Sequence, residues 1–267
     1  MPAPKNTFKA AIRENRFQLG LWVALASPYA AEVVAAGSGY DWLLIDGEHA
    51  PNDLPMLAAQ YRAVAGGGSH PIVRLPVGDA VMIKQILDAG VQTLLIPMVD
   101  NVEQARQLVR AVRYPPHGVR GVGAALGRAT NFSRIGDYLE NANDEICLLL
   151  QIESRAGLEA IDAIAALDGV DGLFVGPADL AADMGHLGNP GHPEVRTAII
   201  EAFARIERAG KARGIMTLDP AQARDYRDLG ADFMAIGTDV TLLVSATERL
   251  RREFLGESGP TRIESGY

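Results

Sequence analysis

Short, nearly unbroken apolar runs alternate with amphipathic stretches along this chain. The apolar runs predict strands over Leu19–Leu25, Trp42–Asp46, Pro71–Leu75, Thr93–Pro97, Ile146–Glu153, Gly172–Gly176, Gly214–Leu218 and Phe233–Gly237. This is the pattern of strands covered on both faces, as in a parallel sheet. Between them, helical periodicity marks Ala30–Gly37, Asp53–Ala65, Ala80–Ala89, Val102–Val112, Gly157–Leu167, Val195–Arg213 and Pro220–Leu229. Gly37, Gly90, Gly214 and Gly230 fall where left-handed helix stops are expected. The joint Asp88-Ala89-Gly90-Val91 recurs as Asp228-Leu229-Gly230-Ala231, which reads as a repeated passage from helix to strand.

Eight strands in strict alternation with helices predict one α/β domain, a closed (β/α)8 barrel over residues 1–255. A doubly wound open sheet is the rival architecture. About 48 residues separate the fourth strand from the fifth, and only part of that gap reads as helix. The remainder, Tyr114 to Tyr138, is rich in Gly and Arg and is long enough to suggest a functional loop. Residues 256–267 form a polar tail, frayed or used in subunit contact.

A net charge of −8 argues against nucleic acid or an anionic membrane as the main partner. No apolar run reaches the roughly 18 residues of a membrane span, and the N-terminus lacks an apolar signal core, so the expectation is a soluble, cytoplasmic protein. The single cysteine, Cys147, lies in an apolar run and reads as a buried free thiol. The 25 basic residues comprise 21 Arg and four Lys: Lys5, Lys9, Lys84 and Lys211.

Barrel chemistry gathers at the C-terminal ends of strands. There the sequence places Asp46 and His49 after the second strand, Arg74 on the third, Gln151 and Glu153 on the fifth, and Gly176-Pro177-Ala178-Asp179 after the sixth. Glu153 and Asp179 leave adjacent strands and can converge on one point; two hard oxygen donors suit Mg²⁺ or Mn²⁺. The competing reading pairs Glu153 with Arg155 or Arg120 and makes Asp179 a helix cap. His49 is a candidate general base, with Asp46 orienting its ring or a water. His70, His117, His186 and His192 read as surface or turn residues. Arg74 needs either an anionic ligand or an internal ion pair with Asp46 or Glu153. None of the four lysines falls at a strand end, so none is placed to form a Schiff base. No nucleotide-binding glycine motif occurs in a suitable context.

The runs Tyr40–His49, Lys84–Gly90, Tyr114–Gly123, Gln151–Ser154 and Gly176–Leu180 resemble the HpcH/HpaI aldolases, with the likeness extending from about Phe8 to Leu255. This family of class II pyruvate aldolases includes 4-hydroxy-2-oxoheptanedioate and 2-keto-3-deoxy-L-rhamnonate aldolases. The resemblance implies a divalent ion (Mg²⁺ or Mn²⁺, with Co²⁺ or Zn²⁺ as alternatives) on Glu153 and Asp179. Arg74 would meet the keto or enolate oxygen, and His49 with Asp46 would handle the proton. Gln151, Gly176, Pro177, Ala178, Leu218 and Trp22 would contact substrate. It further implies a homo-oligomer, a dimer exchanging last helices and assembled into a hexamer, in which Arg120, Val122 and Gly123 reach a neighbouring site. The expected substrates are pyruvate or hydroxypyruvate plus an aldehyde, joined as 4-hydroxy-2-keto acids. A citrate lyase β or malyl-CoA type lyase is the alternative enzyme, and a non-catalytic binding barrel the alternative outside enzymes.

Overall fold

A computed structural model describes residues 2–257. Eight parallel strands close into a barrel in sequence order: β1 (Gln18–Val23), β2 (Trp42–Asp46), β3 (His70–Arg74), β4 (Thr93–Ile96), β5 (Cys147–Ile152), β6 (Gly172–Val175), β7 (Ala212–Thr217) and β8 (Phe233–Thr238). β8 pairs with β1 and completes the ring, which excludes the open doubly wound sheet. Helices α1 (Thr7–Arg13), α2 (Pro28–Ala35), α3 (Leu54–Ala65), α4 (Ala80–Asp88), α5 (Val102–Val112), α6 (Tyr138–Glu145), α7 (Arg155–Ala165), α8 (Pro177–Asp183), α9 (Pro193–Arg208), α10 (Pro220–Asp228) and α11 (Asp239–Leu255) complete the chain. The polar tail predicted from 256 lies outside the described residues from 258 onward.

Alternation along each strand divides the apolar residues between two cores. On β2, Leu43 and Ile45 face the helices, whereas Trp42 and Leu44 fill the barrel interior with Ile72, Leu95, Leu149, Phe174 and Phe233. Both faces are dry, so the strands read as continuous apolar runs. Large interior rings need small neighbours: a Cβ on Gly20 would lie 2.1 Å from the Trp42 ring, and one on Gly214 would lie 2.2 Å from Phe233. Gly214 therefore sits inside β7 and is not the helix stop predicted for it. α9 instead ends at Arg208, with Gly210 in the left-handed conformation (φ 67°). Gly37, Gly90 and Gly230 do take positive φ after their helices, as expected of stops.

α1 plugs the N-terminal end of the barrel. Asn6 caps it by accepting from the Lys9 amide, and Phe8 packs edge-on against Trp42 and Phe233. His70 belongs here as well. It opens β3, stacks on Phe8 at 5.7 Å and lies 2.8 Å from the Thr93 hydroxyl. Burial lowers its pKa to about 4. It is not the surface or turn residue expected from the sequence, because the strand begins one residue earlier than the apolar run suggests. His117 is exposed in a turn, while His186 and His192 occupy the loop before α9. Cys147 is a free thiol inside the barrel, and burial pushes its pKa well up, leaving it a poor nucleophile.

Candidate active site

The C-terminal ends of the strands open into a cavity of about 240 Å³. Its lining includes Trp22, Asp46, His49, Arg74, Gln151, Glu153, Gly176, Pro177, Ala178 and Asp179, with Met216, Thr238 and Val240 completing the wall. Most of the polar residues singled out in the sequence therefore meet in one place. Leu218 does not line this cavity; it is half-buried against the interior core.

Strand register builds the centre of the site. Asp46 and Arg74 are direct partners on β2 and β3. Arg74 donates from Nε and Nη2 to the two Asp46 oxygens at 2.9 and 2.8 Å, a fork-on-carboxylate pair. Burial alone would raise the Asp46 pKa, but the Arg74 bonds and charge outweigh it and hold the carboxyl below its ordinary value. The guanidinium also lies 5.0 Å from the centre of the Trp22 ring. The internal ion pair considered for Arg74 is thus present, and a guanidinium has five N–H donors, so others stay free for a ligand. Asp46 takes the amides of Glu48 and His49, not the His49 ring, so it shapes the turn after β2. The His49 imidazole is exposed, and its carboxylate neighbour is Glu48, 3.9 Å away.

Glu153 follows β5 and is buried. One of its oxygens accepts from the Met98 amide at 2.8 Å and the other from the Gln151 side-chain amide. Met98 reaches that position with a left-handed backbone (φ 55°), an unusual geometry for a non-glycine residue. Burial, together with the nearby Asp179 and Glu48 carboxylates, pushes the Glu153 pKa up to about 7 against the pull of its two donors. Gly176 is required beside it, since a Cβ there would lie 2.5 Å from a Glu153 oxygen. Asp179 stands exposed in the first turn of α8. Pro177 has no N–H, and the amides of Ala178 and Asp179 are free of intrahelical bonds at that helix start.

Asp46, Glu48, Glu153 and Asp179 thus share one neighbourhood with one basic partner, Arg74. Four carboxylates and one guanidinium leave a surplus of negative charge that suits a cation. The two oxygen donors aimed into the cavity without a sulfur partner suit a hard one.

Arg120 lies elsewhere. Its fully buried guanidinium donates to Asp88 at 2.8 Å and to Tyr138 at 3.3 Å, and sits over the Tyr114 ring at 4.4 Å. It anchors the long loop from inside, while Val122 and Gly123 are exposed. Arg155 bonds its amide to Asp183 and its side chain to the Met184 carbonyl, so it is not the Glu153 partner weighed earlier. Among the described residues, the one His/Cys/Asp/Glu triple with ligand atoms close together is His186, His192 and Glu194. There the rings stack at 3.5 Å and His192 Nδ1 caps α9 by accepting from the Glu194 amide. Glu48 is the site residue that sequence reasoning missed. Two carboxylates two positions apart at a strand end, facing an arginine on the next strand, were the signal available.

A closed (β/α)8 barrel whose mouth gathers carboxylates around a buried arginine has the make-up of a barrel enzyme's site. The profile of the HpcH/HpaI aldolase/citrate lyase family matches residues 18–246, and the chain belongs to that family. It is 57% identical over 249 residues to a hydroxypyruvate/pyruvate aldolase of Roseovarius nubinhibens, covering 93% of this chain and 96% of that one. It is 53% identical over 250 residues to a 4-hydroxy-2-oxo-heptane-1,7-dioate aldolase of Escherichia coli, covering 94% and 95%. A crystal structure of a family member from Burkholderia cenocepacia superposes with a TM-score of 0.91 at 42% identity, covering 94% of this chain and all of that one.

Proposed function

We propose that this chain is a class II aldolase that makes and breaks 4-hydroxy-2-keto acids, with pyruvate or hydroxypyruvate as donor and an aldehyde as acceptor. The observation that carries the reading is the surplus of carboxylates around Arg74 at the barrel mouth, where Glu153 is buried with two amide donors and no basic partner. Glu153 and Asp179 would hold Mg²⁺ or Mn²⁺, whose charge would lower the cost of an enolate oxygen on the bound keto acid.

The remaining chemistry falls to the chain's own groups. In cleavage His49 takes the C4 hydroxyl proton, directly or through a water. The C3–C4 bond then breaks, C4 becomes the aldehyde carbonyl, and the electron pair moves into the C2–C3 bond as charge collects on the C2 oxygen. The free N–H groups of Arg74 face that oxygen, and the Ala178 and Asp179 amides receive the substrate carboxylate. The proton returns to C3, which completes the keto acid. A cavity of about 240 Å³ supports short substrates.

The lysines support the same choice of mechanism. Lys5 pairs with Glu145, Lys9 donates to the Ile146 carbonyl and Lys211 to those of Leu167 and Val170, while Lys84 lies on α4. On α11, Leu242, Leu243, Leu250, Phe254 and Leu255 are exposed, which supports its exchange between subunits of a dimer and assembly to a hexamer. The exposed loop tip at Val122 and Gly123, with Arg120 as its anchor, is the segment we assign to a neighbour's site. No described helix is long and apolar enough to cross a membrane, and a cytoplasmic location fits the reduced, buried Cys147.

The test is release of pyruvate or hydroxypyruvate from a 4-hydroxy-2-keto acid with and without exhaustive chelation, alongside borohydride reduction in the presence of pyruvate. The reading expects loss of activity on chelation and no trapped adduct; a lysine adduct and chelator-resistant turnover would overturn it.

A further inference from the structure

We propose that Glu48 is a positioning residue for Arg74, holding the free end of the guanidinium toward the substrate oxygen; the proposal rests on the aldolase reading above. Asp46 grips the Nε and Nη2 edge and leaves Nη1 projecting. The carboxylate at that end is Glu48, whose Oε2 lies 2.8 Å from Nη1. That oxygen is buried and makes no aligned hydrogen bond, so it attracts the cation without using up a donor that the substrate needs.

Asp46 already neutralises Arg74, so a second, half-buried carboxylate adds desolvation cost with little to gain in folding. The surrounding backbone nevertheless fixes it in place. The Glu48 amide donates to Asp46 Oδ1 at 2.9 Å, and the Gly47 amide donates to the Arg74 carbonyl at 2.8 Å. A Cβ on Gly47 would lie 2.6 Å from that carbonyl oxygen, so the turn presses against the end of β3 with no room to drift. Asp46, Gly47 and Glu48 form one clamp around a single arginine, and the donors left over on Nη1 and Nη2 are thereby aimed. Misplacement of such a group by about 1 Å is enough to lower turnover on the order of a hundredfold.

The experiment is a double-mutant cycle between Glu48→Gln and Arg74→Ala in the full-length, Mn²⁺-loaded protein. It is read both by cleavage kinetics and by calorimetric binding of oxalate, a stable mimic of pyruvate enolate. Glu48→Gln alone should lower kcat by about ten- to a hundredfold and weaken oxalate about tenfold, with Mn²⁺ affinity within about twofold of wild type. In the Arg74→Ala background the same substitution should change neither by more than about twofold. If Arg74→Ala fails to fold, Arg74→Lys takes its place, and there the Glu48→Gln effect should shrink several-fold. Unchanged kinetics and oxalate binding in Glu48→Gln, or the full loss persisting without Arg74, would overturn the proposal. Absence of cleavage in the wild type would remove the aldolase reading, while the oxalate cycle would still decide the Glu48–Arg74 coupling.

Discussion

The two ends of the barrel treat charge in opposite ways. At the N-terminal end each buried charge meets its opposite: Lys9 lies 3.4 Å from Asp171, and Arg213 donates to Asp232 at 2.9 Å. At the C-terminal end Asp46, Glu48, Glu153 and Asp179 crowd around Arg74 alone. A protein that only needed to fold would pair both ends alike, because an unpaired buried carboxylate costs several kcal/mol. The lower end is thus paired as stability alone requires, and the mouth, with Glu153 buried without a basic partner, fits the metal-holding role proposed for it.

The largest effects should separate the ends by activity. Glu153→Gln or Asp179→Asn should lower turnover by roughly 10³-fold or more and weaken Mn²⁺ binding, with a melting temperature at or above wild type. Metal titration followed by thermal melts checks both halves, and a large fall in stability without loss of metal would break the contrast. Arg74→Ala should lower turnover by about a hundredfold and, because it leaves Asp46 buried without a partner, destabilise the fold by about 3 kcal/mol. Its counterpart below, Arg213→Ala, should lower stability and leave kcat within about twofold of wild type, as denaturant melts and steady-state kinetics would show.

A third comparison uses pH. Native His70 titrates near 4, whereas an unfolded histidine titrates near 6.5, so the unfolded chain binds the proton first on acidification. The associated stability is present in full above about pH 6.5 and is lost as pH falls toward 4, in total about 3 kcal/mol. Denaturant melts of wild type and His70→Asn across that range should show a shallower acid slope in the variant; parallel slopes would contradict the assignment. The smallest effect belongs to Cys147→Ala, which should cost about 1 kcal/mol and leave turnover unchanged.

Much of this organisation was legible in the residues. Strands buried on both faces announce themselves, which is why all eight are readable, with no end shifted by more than two residues. Periodicity does not mark α1, α6 or α8, because helices of seven or eight residues carry too little of it, although Asn6 is a readable cap; α11 enters only as the last helix that the family resemblance implies. Asp46, His49, Arg74, Glu153 and Asp179 stood out because strand ends in barrels are where polar residues need explaining. Glu48 did not, since its meaning depends on the tight Gly47 turn that brings it back to Arg74. Arg120 was readable as important, but its inward anchoring by Asp88 and two tyrosines is a tertiary fact that spacing along the chain does not carry.

The surplus of carboxylates at the mouth is the centre of the account, and deuterium exchange into the methyl group of pyruvate, followed by proton NMR, tests it most directly. Metal-stripped protein should leave the methyl signal intact, and added Mn²⁺ or Mg²⁺ should restore exchange in wild type but not in Glu153→Gln. Exchange at full rate in exhaustively chelated protein would contradict the claim that the mouth is short of a cation.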